Sequence, residues 1–314
     1  MSILANAEET RWSLARLLSW TSEYFQRQRL DDARLAAEVL LAHVAGCRRI
    51  DLYTRFDDVL DDARVKHYRE LVRRAAQGEP VAYLVGEKEF FSLAFRVTPD
   101  VLIPRGETET LVECAVDHCR RASLTKPLLL DLGTGSGCVI VATLCELKNA
   151  TAFATDVSPK ALAIAEQNAR RHAVASRITF VEADGLALPE GIVPERGFDV
   201  LMSNPPYVAA EAMAGLDAAV RDYEPTIALS DGADGLSFYR QIAREGPELL
   251  TPSGIVLVEI GDGQESAVVD IMSKEGELVH RGSWKDRVTR RERVLVFSRA
   301  SSELEETGLC NTSK

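Results

Sequence analysis

Four consecutive residues, Asn204 to Tyr207, are the part of this sequence best suited to chemistry. They read Asn-Pro-Pro-Tyr and follow the apolar run 198–203, which predicts a buried strand. Two prolines after an asparagine make a rigid group of carbonyl acceptors with an aromatic ring beside it. Such acceptors suit a planar amino group, an amide or the exocyclic amine of a base, whose two N–H bonds are held while its nitrogen attacks. The alternative is a plain turn, because Pro-Pro and Asn are both common where strands end.

A glycine-rich turn earlier in the chain predicts a cofactor site. Residues 128–132 form an apolar strand, residues 133–138 read Gly-Thr-Gly-Ser-Gly-Cys, and an apolar helix start follows. This arrangement is the usual site of a nucleotide-like cofactor in an open α/β sheet. The dinucleotide pattern G-x-G-x-x-G fails at Cys138, and no lysine follows the glycines as a triphosphate-binding loop requires.

What remains, Asp-x-Gly-x-Gly-x-Gly over residues 131–137, resembles motif I of the class I S-adenosylmethionine-dependent methyltransferases. Glycines allow the backbone to approach a cofactor closely, without side chains in the way. The cofactor-binding residues predicted in this turn are Gly133, Thr134, Gly135, Ser136 and Gly137.

Two further strands end in acidic residues. Residues 151–155 lead into Asp156, which can accept hydrogen bonds from both ribose hydroxyls of an adenosine. The alternative for Asp156 is a helix cap, since a helix opens directly after it at Ser158-Pro159. Residues 177–183 lead into Asp184-Gly185, where methyltransferases of this class usually place a side chain against the adenine amine. An Asp-Gly turn also needs no ligand to explain it.

These strands, with helical stretches between them, predict consecutive β-α units of one parallel sheet. Right-handed crossovers place the carboxyl ends of such strands at one edge. We therefore expect the glycine turn and Asn204 to face the same crevice, and we also expect Asn204 to border the cofactor.

The chain as a whole resembles the release-factor glutamine methyltransferases, the HemK/PrmC family. The resemblance covers about residues 10–299, and its most specific elements are Pro-Arg-Gly-Glu-Thr-Glu at 104–109 and Tyr-Glu-Pro at 223–225. Gly106 is a common variant within the first element. Further matching segments are 79–86, 89–93, 102–103, 130–138, 203–207, 228–229 and 232–236.

This resemblance implies transfer of a methyl group from S-adenosylmethionine to N5 of the glutamine in the Gly-Gly-Gln loop of class I peptide chain release factors, with S-adenosylhomocysteine as the other product. It implies that Asn204, Pro205 and Tyr207 are catalytic, and that they bind the substrate together with Pro206. An amide nitrogen is a poor nucleophile, so orientation and electrostatic fit carry the rate and no strong base is needed. Arg105, Glu107 and Glu109 are second-rank candidates that border the cofactor or brace the hinge between domains.

The expected fold is α/β, a Rossmann-like class I methyltransferase with a mostly parallel seven-stranded sheet. The length of 314 residues indicates more than one domain. Helical spacing of Leu14, Leu17, Leu18, Leu35, Val39 and Leu40 predicts a small N-terminal bundle. The predicted domains are a helical substrate-docking domain at 1–85, a β-hairpin linker at 86–103, the methyltransferase domain at 104–300 and a disordered tail at 301–314. A folding chaperone or a lid that contacts no partner is the alternative for the first.

The distribution of charge along the chain helps to distinguish between the possible substrates. The net charge is −11, and residues 1–85 carry 13 basic and 13 acidic side chains, so the excess of acid lies in the catalytic part. An acidic catalytic part has little attraction for a phosphate backbone. A nucleic-acid methyltransferase acting on adenine or guanine is therefore the second hypothesis. A cofactor-binding protein without catalysis is the third, which the Asn-Pro-Pro-Tyr group disfavours.

The remaining features set the expected surroundings. Six cysteines without a C-x-x-C pair predict reduced thiols and no metal, and no apolar run reaches the length of a membrane span. We expect a cytoplasmic monomer with no membrane partner and no direct nucleic-acid substrate. Predicted strands lie at 254–261 and 293–298, and the basic cluster Arg281, Lys285, Arg287, Arg290, Arg291 and Arg293 predicts a solvated hairpin rather than an RNA- or protein-binding patch.

Overall fold

The computed structural model describes residues 12–274 and 278–300 of the chain. The fold divides into two compact units, one of residues up to Gly86 together with Ala218–Tyr223, the other of Glu87–Asp217 and the residues from Glu224 onward. The segment 301–314, for which the sequence predicts disorder, lies outside the described residues.

The helices and strands are as follows. The helices are α1 Leu14–Arg27, α2 Ala33–Ala45, α3 Asp51–Thr54, α4 Asp62–Ala76, α5 Val81–Val85, α6 Glu109–Arg121, α7 Cys138–Glu146, α8 Pro159–Arg171, α9 Ala218–Tyr223, α10 Thr226–Leu229, α11 Ser237–Leu249 and α12 Glu265–Lys274. The strands are β1 Glu87–Phe90, β2 Leu93–Arg96, β3 Leu128–Leu132, β4 Thr151–Asp156, β5 Ile178–Glu182, β6 Phe198–Ser203, β7 Leu250–Glu259, β8 Leu278–Lys285 and β9 Glu292–Arg299.

The first unit is built from amphipathic helices. Helix α1 begins after Ser13, whose hydroxyl accepts the Arg16 N–H, and it buries Leu14, Leu17 and Phe25. Leu35 has the spacing of an apolar helical face, but its side chain is 40% exposed. Helix α2 turns an alanine-rich face inward instead.

The second unit contains a seven-stranded sheet in the order β5-β4-β3-β6-β7-β9-β8. The pairs from β5 to β7 are parallel, and β9 runs antiparallel to both β7 and β8. The predicted fold class is confirmed. Because β3, β4 and β6 are adjacent and parallel, the loops that follow them emerge at one edge.

Helices cover both faces of the sheet. Leu129, Val200 and Leu257 belong to the core on the face of α6, α7 and α8. Leu130 and Leu201 belong to the core on the face of α11 and α12. These strands are apolar on both sides, as expected for buried parallel strands.

Two C-terminal details differ from the sequence prediction. Strand β7 begins at Leu250, four residues before the predicted 254, because a register shift near Phe198 and Val200 lets Leu250 pair with Phe198. Arg293 is not part of a solvated basic patch. It is buried and donates to the Ile260 carbonyl at 2.9 Å and to Asp262 at 2.8 Å.

Candidate active site

The carboxyl edge of the parallel strands borders a cavity of about 330 Å³ in the second unit. Its lining comes from the loops after β3, β4, β5 and β6, from the segment before α6 and from residues 225–241. The residues predicted from sequence that line it are Arg105, Gly133, Thr134, Gly135, Ser136, Asp156, Asp184, Asn204, Pro205 and Pro206.

The glycines of residues 133–137 have two different structural roles. Gly133 and Gly135 have φ of +69° and +54°, and a Cβ on Gly133 would meet no protein atom within 4 Å. A side chain there would project into free space beside the cavity, so glycine keeps that space open for a ligand. Gly137 has another role, because its Cβ would lie 3.0 Å from the Cβ of Ala165 on α8. It permits close packing of α7 on α8.

The ends of β3 and β4 hold two acids, of which Asp131 is buried and Asp156 is half-buried. Asp131 accepts the Thr134 hydroxyl at 2.6 Å, and burial raises its pKa to about 7. Asp156 accepts the N–H of Gly135 and the N–H of Ser158, both at 2.9 Å. Burial raises the pKa of Asp156, against the lowering effect of these backbone bonds. Asp156 thus both shapes the glycine turn and faces the cavity, and its carboxylate lone pairs can also accept ribose hydroxyls.

Asn204 is half-buried and follows directly after β6. Its Nδ2 donates to the Thr108 hydroxyl at 3.2 Å, and its side chain lines the cavity with Pro205 and Pro206. Tyr207 does not line the cavity. Its carbonyl accepts Gln264 Nε2 at 2.9 Å, and its ring lies where a Cβ on Gly261 would contact it.

A loop from Glu224 to Ser237 forms the opposite wall. Asp231 accepts the N–H groups of Ala233, Gly235 and Ser237 at 2.8, 3.0 and 2.9 Å. Although burial opposes it, these bonds lower the pKa of Asp231. The Val208 N–H donates to the Leu229 carbonyl at 2.9 Å and connects this wall to the segment that carries Asn204.

The second-rank candidates occupy different places. Arg105 lines the cavity and pairs with Glu224. Glu107 lies 3.4 Å from Arg293, and Glu109 accepts the Phe91 N–H at 2.7 Å, at the turn between β1 and β2. Neither of these two acids lines the cavity, and the same is true of Gly137 and Gly185.

Sequence reasoning missed several lining residues. Thr108, Ile227, Ala228, Phe238 and Gln241 all border the cavity. Thr108 lies inside the element 104–109 and could have been found there, because a hydroxyl between two acids is a polar group that needs a partner. Phe238 and Gln241 carry no local signal, since they come from one turn of an ordinary helix.

Among the described residues, no group of three or more His, Cys, Asp or Glu side chains could hold a metal ion. Cys47, Cys114, Cys119, Cys138 and Cys145 are free thiols, while Cys310 lies outside the described part. No described helix combines the length and apolar character that a membrane crossing needs.

The fold and the glycine turn define a class I, S-adenosylmethionine-dependent methyltransferase. Residues 128–297 match a family model described as a methyltransferase domain, and residues 16–86 match one described as the PrmC N-terminal domain. The chain belongs to the family of release factor glutamine methyltransferases. This confirms the resemblance found in the sequence.

Two relatives with that name support the assignment. The release factor glutamine methyltransferase of Rhodopirellula baltica is 40% identical over 81% of this chain and 86% of its own length. That of Geobacter sulfurreducens is 40% identical over 84% of this chain and 90% of its own length. Among solved structures, the hMettl16 catalytic domain in complex with the MAT2A 3'UTR hairpin 6 has a TM-score of 0.50 at 15% identity, covering 77% of this chain and 84% of that one. This last similarity concerns the fold alone.

Proposed function

We propose that this protein transfers a methyl group from S-adenosylmethionine to the side-chain amide nitrogen, N5, of the glutamine in the Gly-Gly-Gln motif of class I peptide chain release factors. The observation that carries the proposal is the placement of Asn204 beside the glycine turn and Asp156 in one cavity. The family to which the chain belongs indicates which substrate the site accepts. The protein then acts on translation termination, as a monomer in the cytoplasm.

The cofactor fits the residues that are present. Gly133 and Gly135 leave room for it, and Asp156 and Asp184 present carboxylates from the ends of β4 and β5. S-adenosylmethionine supplies an electrophilic methyl group on a sulfonium centre when bound. The negative carboxylates also favour a cofactor with positive charge.

Asn204 and Pro205 orient the substrate amide in this proposal. An amide nitrogen shares its lone pair with its carbonyl, so it attacks only when it is held in a suitable geometry. The Oδ1 atom of Asn204 and the carbonyl of Pro205 accept its two N–H bonds, and Pro206 bounds the same slot. Holding a weak nucleophile in this way contributes through proximity and fixed dipoles.

A general base is not required. No histidine occurs among the described residues that line the cavity. A methylated, protonated amide is a strong acid and loses its proton to water without help. The role of Tyr207 is then to support the segment from behind, through its bonded carbonyl and packed ring.

The N-terminal unit is proposed to bind the release factor. The support is its match to the PrmC N-terminal domain and the six large apolar side chains that it exposes. The large exposed apolar residues of this unit are Trp20, Leu35, Ile50, Tyr53, Phe56 and Val59.

The main experiment offers labelled S-adenosylmethionine with a class I release factor, its Gly-Gly-Gln glutamine-to-alanine variant, tRNA or DNA. We expect label in the unchanged release factor alone. Label in nucleic acid would support the alternative of base-amine methylation, and equal label in the loop variant would contradict the glutamine as acceptor.

The Asn204→Ala variant tests the site. We expect turnover to fall by about 10² to 10³, as for loss of a transition-state hydrogen bond, with cofactor affinity retained within a few-fold. Asn149→Ala, at an exposed position, is the matched control and should leave turnover unchanged. Normal turnover in Asn204→Ala would refute the role assigned to this side chain.

A further inference from the structure

A buried row of polar groups lies behind Asn204. The Asn204 Nδ2 donates to Thr108 Oγ1 at 3.2 Å, and the Thr108 residue is 2% exposed. Glu259 at the end of β7 is 1% exposed and interacts with the Thr108 hydroxyl. The mechanism described above uses neither Thr108 nor Glu259.

Glu259 lacks ordinary partners. Neither of its carboxyl oxygens has a hydrogen bond of normal geometry within the described residues. The Thr108 hydroxyl is nevertheless close enough to lower the carboxyl pKa, against burial, which raises that pKa to about 7. Arg293 and Arg105 also lower this pKa, whereas Glu107 raises it. A buried carboxyl with unused acceptors takes up the nearest available proton donor.

The direction of the hydrogen bonds follows from the number of protons on a hydroxyl. Thr108 has one O–H bond and two lone pairs. Above about pH 7 Glu259 is mainly ionised, and the bond to its carboxylate is then the stronger of the two choices for the Thr108 hydroxyl, because the acceptor is charged. If Thr108 donates its only hydroxyl proton to Glu259, its oxygen can act toward Asn204 only as an acceptor. Asn204 must then turn its NH₂ group toward Thr108.

We propose that Thr108 and Glu259 are positioning residues that fix the orientation of the Asn204 carboxamide and so reserve its Oδ1 atom for an N–H of the substrate. Without them the carboxamide can rotate by half a turn, since Thr108 alone can donate as well as accept. A rotated carboxamide presents N–H bonds to the substrate N–H bonds, which repel. The inference rests on the proposed function for the identity of that substrate, but not for the orientation itself.

Thr108→Val tests the hydroxyl with almost no change in shape. We expect turnover to fall about 10- to 100-fold, the range for loss of one orienting hydrogen bond, with cofactor affinity within two-fold. Thr108→Ser should keep turnover within a few-fold. Thr110→Val makes the same change at another buried position, on α6, and should leave turnover unchanged. Turnover of Thr108→Val within two-fold of the parent overturns the proposal.

Glu259→Gln tests the carboxylate through a double-mutant cycle. Gln both donates and accepts, so it relaxes the direction of the Thr108 proton, and turnover should fall about 3- to 10-fold. In the Thr108→Val background the same change should have no further effect, because the coupling is broken. The role assigned to Glu259 is wrong if turnover is unchanged in Glu259→Gln. It is also wrong if the fold-loss of turnover in the double variant equals the product of the losses in the two single variants.

A readout without turnover separates this inference from the proposed function. The side-chain NH₂ of Asn204 can be identified in a ¹⁵N-labelled full chain by its absence in Asn204→Asp. We expect Thr108→Val to shift it and to speed its hydrogen exchange at least 10-fold, whereas Thr110→Val leaves both unchanged. If the parent fails to methylate the glutamine but the NH₂ responds in this way, only the proposed function fails. If the chemical shift and the exchange rate of the Asn204 NH₂ group do not change in Thr108→Val, the proposed orientation is wrong.

Discussion

Arg105 and Glu224, which are 119 positions apart in the chain, form an ion pair beside the cavity. The Glu224 side chain is 1% exposed, and its second oxygen accepts the Ile103 N–H at 3.1 Å. The segment that leads to α6 is thereby held against the loop that forms the far wall. Both segments belong to the motifs that resemble the family most specifically.

Removal of Arg105 should destabilise the second unit. Arg105→Ala leaves the Glu224 carboxylate buried with a single backbone donor, and we expect a loss of about 2 to 3 kcal/mol in the free energy of unfolding. This is below the full cost for a buried pair because the guanidinium is one-third exposed. Urea unfolding measures it, with Arg121→Ala, from an exposed pair, as control. A loss below 0.5 kcal/mol would show that the pair is unimportant.

Two glycines of the far wall should respond differently to alanine. Gly232 and Gly235 have φ of +74° and +76°, so both substitutions strain the backbone by about 1 kcal/mol. A Cβ on Gly235 would in addition overlap the Tyr207 carbonyl, with its carbon 2.9 Å away, whereas a Cβ on Gly232 meets nothing within 4 Å. We expect Gly235→Ala to lower turnover at least 10-fold and Gly232→Ala to leave it within two-fold. Equal turnover of the two variants would argue against this contact.

Asp156→Ala should weaken cofactor binding specifically. The change removes the acceptor for the Gly135 and Ser158 N–H groups and a carboxylate at the cavity. Loss of a charged hydrogen-bond group is worth about 1.5 to 3 kcal/mol, so the dissociation constant for S-adenosylmethionine should rise about 10- to 150-fold. Calorimetric titration measures it. Asp270→Ala on the surface is the control, and unchanged affinity in Asp156→Ala would exclude this residue from the cofactor site.

Glu259 should make stability depend on pH. Its pKa rises from 4.5 to about 7 in the folded protein, so the carboxyl takes up a proton on folding between these pH values. The contribution is full below pH 4.5 and is lost as the pH rises to about 7, a change of about 3 kcal/mol. The parent should therefore lose about that much more stability between pH 4.5 and 7.5 than Glu259→Gln. Asp131, whose pKa is also raised to about 7, keeps some dependence in both proteins.

Urea unfolding at the two pH values supplies the measurement. Glu248→Gln, at an exposed position of α11, should follow the parent. The same pH dependence in the parent and in Glu259→Gln would mean that folding does not raise the pKa of Glu259.

The centre of the sheet was predictable because β3 and β6 are buried on both faces and end in recognisable turns. Residues 128–132 and 198–203 match β3 and β6 as predicted, and the shared edge followed from handedness alone. The start of β7 was not predictable, since it depends on a register shift against Phe198 that only the paired strands reveal.

Site residues were predictable where their own strand determines their position. They were not predictable where their position depends on contacts between segments that are distant in sequence. Asp156 and Asn204 follow their own strands, so sequence alone placed them at the cavity. The burial of Arg293 depends on its partners Ile260 and Asp262, more than thirty positions away. The role of Thr108 likewise depends on its contacts with Asn204 and Glu259 and not on its neighbours in sequence.

Asn168, fully buried on α8, joins two parts of the second unit that the sequence separates. Its Oδ1 accepts the Arg96 N–H at 2.7 Å, and its Nδ2 donates to the carbonyls of Arg96 at 3.0 Å and Ser136 at 2.8 Å. One carboxamide thus fastens strand β2 to the glycine turn. We therefore expect a substitution that breaks the contact between Asn168 and Arg96 to lower the affinity for the cofactor, even though β2 is distant from the glycine turn in sequence.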